Sequence, residues 1–318
     1  MTEFSSHSSS QDSLESSLRL QLARGDAVVG SVEPVLHHLL VHRDQALFGD
    51  EVVAHLRAML GDLARQIGEA LVGAGGPEGG PEDGHEAIAA ALADVPGLLP
   101  HLHALALEWQ VTLRLQERVG LDPVLSPLLQ ALIASSEAET SALAMRLLAA
   151  QARFVQGQRR MQLALGELPG EGLHGVLVAL YAHARSLDLP IATARQAEAA
   201  LREGYDEAST RCGLLARLVA GMGAGAVAGL ALSHAGVAIF VSTLALGRDL
   251  AREHAVLAMQ DGQQARLALE LRAAGLKLAA VDEALLVLHP HGDIPEGLAG
   301  ISAEHAGAIL AQASGGAR

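Results

Sequence analysis

From Leu218 to Gly247 the chain carries no Asp, Glu, Lys or Arg, and His234 is the one titratable side chain in the run. A neutral stretch of about 30 residues has three physical solutions: a bilayer span, a glycine-rich nucleotide loop, or helices buried in a soluble protein. A span needs roughly 20 apolar residues. Arg217 and Arg248 flank the run, and Gly221, Gly225 and Gly229 recur every four residues, a spacing that lets membrane helices touch closely. Against a span, Ser233-His234-Ala235-Gly236 divides the run into pieces of about 15 and 10 residues, each too short to cross. Neither end has a Trp or Tyr to anchor it at an interface, and a histidine at mid-bilayer is costly. The expectation is therefore buried helices in a soluble protein, with glycines at close backbone contacts; membrane association through 218–247 is the alternative. Gly221 to Ala226 also matches G-x-G-x-x-A, which binds a dinucleotide only after a strand. Here the preceding "CGLLARLVA" spaces Leu214, Leu215, Leu218 and Val219 as a helix, so no such site is expected.

Aromatic residues make up 2% of the chain and apolar residues 50%. The core must then be built from Leu, Ala and Val, and Leu and Ala favour helix over strand. From Leu14 onward the apolar period is helical. In "GDEVVAHLRAMLGDLARQIGEALV", Val53, Leu56, Leu60, Leu63 and Ile67 form one stripe, with Asp50 placed as its N-cap. The "GAGGPEGGPEDGH" segment, 73–85, reads as a linker. "LLPHLHALALEWQVTLRLQERVG" is helical to Gly120, "PVLSPLLQALIAS" is short and broken by Pro127, and the stretch from Ser136, its expected cap, to Pro169-Gly170 is the longest uninterrupted pattern. Towards the C-terminus, short helices stop at Asp261-Gly262, at Gly275 as a left-handed C′ residue with Leu276 folding back on Leu271, and at Pro290. A last helix starts at Ser302. No alternating apolar–polar run bounded by hairpin turns occurs. The fold class is all-α and multi-helical, an irregular α-solenoid or stacked helical hairpins. Its expected organisation is a disordered Ser-rich tail at 1–13, a helical segment at 14–72, the linker at 73–85 and a main helical domain at 86–318, with a sub-boundary near 167–171.

The net charge of −14 makes nucleic acid an unfavourable main ligand. Cys212 is the single cysteine, so no intramolecular disulfide forms, consistent with a reducing compartment. His42-Arg43-Asp44 spells a kinase catalytic loop, but the Asn and D-F-G that such a loop requires are missing. His37, His38 and His42 share one predicted helix, and His289, His291 and Asp293 one loop; either set offers metal-ligand chemistry, although scattered histidines are expected to be packed or solvated. No G-x-S-x-G is present. No catalytic residue, metal or cofactor is assigned.

The most informative polar feature is a ridge. Arg146, Arg153 and Arg160 lie seven apart, with Arg159 beside them, and Gln151 and Gln158 follow on an adjacent line. Such a ridge is out of character in so acidic a chain. It either pairs with acids of neighbouring helices or docks an acidic partner or phosphate, since the guanidinium fork suits carboxylate and phosphate groups.

The segments "LALGRDLAREHAVLA", "LRAAGL" and "LLVLHP" resemble a bacterial family of helical proteins of unknown function. The similarity covers about the last third of the chain; upstream it extends to "QARFVQGQRRMQL". The resemblance implies a HEAT-like helical fold and a cytoplasmic bacterial protein, and it brings no activity, cofactor or site residue. The expected function is a non-catalytic helical scaffold or interaction module whose partner is another protein with an acidic surface. The alternatives are a membrane-associated helical protein and a metal-dependent hydrolase.

Overall fold

The computed structural model describes residues 3–41, 50–76, 82–292 and 298–315, and side chains within 15–37, 51–76, 84–292 and 298–313. The described residues form fourteen α-helices and four short 3-10 helices, with no strand among them. The α-helices are α1 (Glu3–Val41), α2 (Asp50–Gly73), α3 (Glu82–Ala93), α4 (Leu98–Val119), α5 (Pro127–Ile133), α6 (Ala138–Arg159), α7 (Gly170–Ser186), α8 (Ile191–Arg202), α9 (Arg211–Gly221), α10 (Leu232–Arg248), α11 (Arg252–Ala258), α12 (Gln264–Ala273), α13 (Leu278–Leu288) and α14 (Ala303–Gly315). The fold is all-α and multi-helical.

The chain divides into two compact units, one from Met1–Val32, Gln110–Ser141 and Leu218–Arg318, the other from Glu33–Trp109 and Ala142–Arg217. In the second unit, α2 packs on α3 and α8, α3 on α7, and α7 on α8. The stripe read from the sequence is its core: Val53, Leu56, Leu60, Leu63 and Ile67 are all buried. Ala194 and Ala197 of α8 and Val176 and Leu180 of α7 are buried in the same unit. In the first unit, α10 packs on α5, α11, α12 and α13, and α12 on α13 and α14. Phe240, Leu267, Leu269, Val281 and Ile309 close that core.

The neutral stretch resolves into three pieces. α9 stops at Gly221, a 3-10 helix spans Gly223–Leu230, and α10 starts at Leu232. α10 is itself broken at Gly236, whose φ of 75° and ψ of 162° suit glycine alone. Only the second half is buried as expected. Most of Leu232 to Ala245 is enclosed, whereas Gly221, Gly223, Ala224, Gly225 and Ala228 are exposed and Val227 is 60% exposed. Of the three glycines spaced by four, Gly229 alone serves a close approach: a Cβ there would press on Thr243, while Gly221 and Gly225 face open space. Among the described residues no single helix is long and apolar enough to cross a membrane; two bent helix pairs, 84–93 with 98–119 and 191–221 with 223–230, meet that test of length and composition together.

Helix boundaries depart from the sequence expectation at instructive places. α1 begins at Glu3, inside the segment expected to be disordered. α5 starts at Pro127 instead of being broken by it; Ser126 is the N-cap and accepts from the Leu129 amide at 3.3 Å, because proline suits a first-turn position whose N–H has no partner anyway. α6 begins at Ala138, with Ser135 rather than Ser136 accepting an amide hydrogen, from Glu137 at 3.2 Å. It ends at Arg159, about ten residues before Pro169. The longest helices are α1 and α2. Three helices end on a non-glycine residue with positive φ: Met161 after α6, Asp188 after α7 and Asp249 after α10. Each is followed by an amide that reaches back to a carbonyl inside the helix, Gln162 to Gly157, Leu189 to Ala184 and Leu250 to Ala245, the Schellman pattern. Gly275 behaves as read: its φ is 90°, and the Leu276 amide returns to the Leu271 carbonyl at 3.1 Å. Ser302 caps α14 through the His305 amide at 3.1 Å.

Candidate functional site: an arginine-rimmed cavity in the second unit

A cavity of about 420 Å³ opens between α2, α4, α6 and the start of α9. Its wall is held by one buried guanidinium. Arg211, at the first turn of α9, forms a two-pronged ion pair with Glu108 of α4; the side chains are 3% and 1% exposed. Its Nε donates to Gln151 Oε1 at 2.7 Å, and its Cζ lies 3.7 Å from the centre of the Phe154 ring. Its backbone amide donates to Glu167 Oε2 at 2.7 Å. A buried charge is tolerated only when paired and hydrogen-bonded, and Arg211 is both. Thr210 Oγ1 caps this turn by accepting from the Gly213 amide at 3.1 Å.

The opposite wall explains why α6 stops early. After Met161 the backbone turns away and is met by side chains of α2. The Leu163 amide donates to Asp62 Oδ2 at 3.1 Å and the Leu165 amide to Gln66 Oε1 at 3.0 Å, while Gln66 Nε2 donates to the Leu163 carbonyl at 2.7 Å. These tertiary bonds replace the intrahelical ones that α6 would otherwise continue. Asp62 also accepts from Arg65 at 2.7 Å, and Arg65 donates to Glu69 at 2.6 Å. Gln158, from the adjacent line noted in the sequence, is buried and bonded to His55 at 2.9 Å. Burial lowers the His55 pKa below its ordinary value, so the imidazole stays neutral at pH 7.

The ridge is divided by this arrangement. Arg153 and Arg160 both line the cavity. Arg153 is 61% exposed, and its nearest carboxylate oxygen is Glu167 Oε1 at 3.8 Å, while the other Glu167 oxygen is taken by the Arg211 amide. Arg160 forms no ion pair with a described residue. Arg146 is directed elsewhere, donating to Ser209 Oγ at 2.8 Å, and Arg159 is exposed without lining the cavity. Four arginines against two carboxylates therefore line the space, in a chain whose balance is strongly acidic. Leu105, Phe154, Leu163 and Ala164 contribute apolar surface, and half-buried Cys212 faces in from α9.

No family model, curated protein or solved structure matches the chain, so what the cavity can bind has to be read from its own chemistry. The other candidates are less complete. His37 reaches Asp94 at 2.9 Å, and His289 Nδ1 reaches Asp261 at 2.9 Å. The side chains of His38 and of the 42–44 triplet, and Asp293, lie outside the described residues. Among the described residues no three of His, Cys, Asp and Glu come together as a metal site. A shallow concavity in the first unit, lined by Val119 and Leu286 with Arg118, Asp282 and Glu283, has mixed charge. The G-x-G-x-x-A letters fall at the end of α9 and in a 3-10 helix. Sequence reasoning identified Arg153 and Arg160 but missed Arg211, Glu108, Asp62 and Gln66. The one available signal was Glu108 itself, a lone acid inside the apolar run "HALALEWQV".

Proposed function

We propose that the protein is a non-catalytic helical interaction module, and that its second unit binds an acidic segment of another protein at the cavity rimmed by Arg153 and Arg160. The observation that carries this reading is the placement of two exposed, incompletely matched guanidiniums on one concavity in a chain of net charge −14. Arginine recognises carboxylates in a planar, two-pronged geometry, and an acidic surface elsewhere steers an acidic partner towards a locally basic rim. The HEAT-like character implied by the C-terminal resemblance belongs to the same proposal, as does a cytoplasmic setting.

The test is direct binding. A fluorescein-labelled peptide rich in Asp and Glu is titrated with the full chain and followed by anisotropy. Arg153→Glu with Arg160→Glu is expected to weaken binding at least tenfold with unchanged helical circular dichroism, and Arg146→Glu to weaken it by less than threefold. Equal affinity for the double variant and the unaltered chain overturns the reading. The exposed apolar turn at 221–228 supports membrane association as the second reading. Flotation with phosphatidylcholine–phosphatidylglycerol vesicles separates the two: the proposal expects the protein to remain at the bottom of the gradient.

A further inference from the structure

We infer that the cavity recognises an apolar side chain flanked by carboxylates, rather than negative charge alone. This rests on the proposed acidic partner and specifies its recognition element. The charge available to a ligand sits on the rim, where Arg153 and Arg160 are exposed. The guanidinium set into the wall is already satisfied: Arg211 is engaged by Glu108, Gln151 and the Phe154 ring. Arg65 is held by Asp62 and Glu69. A carboxylate pushed into the interior would lose water and meet guanidiniums that are already engaged, Arg211 and Arg65, so its desolvation is poorly repaid. It would also approach Asp62 and Glu167, the two acids of the wall. An apolar group has no such cost, and it gains contact with Leu105, Phe154, Leu163 and Ala164.

The dimensions agree. About 420 Å³ lies within the roughly 300–1,000 Å³ of small-molecule pockets and leaves room for an aromatic side chain, and such buried anchors dominate interface energies. Gly157 cannot carry a side chain without meeting the Gln162 carbonyl, 3.0 Å from where its Cβ would stand, and Ala164 is exposed on the rim. Arg153, in α6, and Arg160, just past its end, are seven residues apart, about 10 Å at the helical rise of 1.5 Å per residue. An extended segment covers that in about three residues, so its acids bracket the apolar residue rather than follow it.

Cys212, the chain's single cysteine, lines the same space and reports on its occupancy. Alkylation of the full chain by iodoacetamide is timed alone and with three probes: the peptide acetyl-Glu-Phe-Ser-Glu-amide, its Phe→Ala form, and inorganic phosphate. The Phe peptide is expected to slow Cys212 alkylation at least fivefold at saturation, and to bind at least tenfold more tightly than the Ala form. Arg153→Gln with Arg160→Gln is expected to remove the protection. Ala164→Trp, which fills the cavity from a position that tolerates bulk, is expected to cost the Phe peptide tenfold and the Ala peptide less than twofold. Equal affinity of the two peptides, with both still sensitive to the arginine changes, overturns the apolar anchor and leaves the acidic-partner reading standing. Protection by phosphate equal to that by the Phe peptide also overturns the anchor, identifying a small-anion site. Affinity for either peptide that is unmoved by the arginine changes overturns the acidic-partner reading itself.

Discussion

Arg211 joins α4, α6 and α9 through Glu108, Gln151 and Phe154. Arg211→Met leaves the Glu108 carboxylate buried without its counter-charge and is expected to cost about 3–5 kcal/mol in urea unfolding. Adding Glu108→Leu should recover much of that loss; a single variant that costs less than about 1 kcal/mol would show that the pair is not what holds the wall. Three buried histidines act in one direction. Burial lowers the His103 pKa from 6.5 to about 4, and it lowers those of His55 and His289 as well. Between these values the unfolded chain binds a proton that the folded chain refuses, so stability is complete above pH 6.5 and falls as pH drops towards 4. His103 alone would account for up to about 3 kcal/mol over that window. Urea unfolding at a series of pH values should show the decline already between pH 6.5 and about 5, above the range where carboxylates titrate; a flat profile there contradicts the burial.

At the scale of the element, helix interiors were legible, and helix ends only where a local residue type marks them. The α2 stripe, the Gly275 turn and the Ser302 cap could be read because each rests on a local pattern of residue types. The ends of α6, α7 and α10 rest on Met161, Asp188 and Asp249 in a left-handed conformation that glycine ordinarily announces, and α6 is further stopped by Asp62 and Gln66 of another helix. Nothing local signals either. Met161→Gly should relieve part of the left-handed strain and change stability by up to about 1 kcal/mol in the favourable direction. The glycines of the neutral stretch divide in the same way. Gly236→Ala places a methyl group in a glycine-only conformation and 2.9 Å from Ser126 Cβ, and should cost about 1–3 kcal/mol. Gly225→Ala meets nothing within 4 Å and should stay within about 0.5 kcal/mol. Equal losses at the two positions, measured by thermal unfolding, would mean that the exposed turn packs against something after all.

For the whole molecule, the sequence suggested a division at the 73–85 linker, yet both flanks of that segment belong to the same unit. The chain instead passes between units within α1, α4, α6 and α9. Glycine and proline report where a chain can bend, not which helices pack together, and a unit assembled from two separate stretches leaves no compositional mark. The candidate site was legible to the same degree. The heptad of Arg146, Arg153 and Arg160 could be seen in one helix, but a cavity that also needs α2, α4 and α9 could not, nor could the diversion of Arg146 to Ser209. The measurement that bears most directly on the account is photo-crosslinking of acetyl-Glu-Phe-Ser-Glu-amide, with a photoreactive analogue in place of its phenylalanine, followed by peptide mapping. Crosslinks at Leu105, Phe154, Leu163, Ala164 or Cys212 are predicted; crosslinks confined to the α13 surface or to the turn at 223–230 would contradict it.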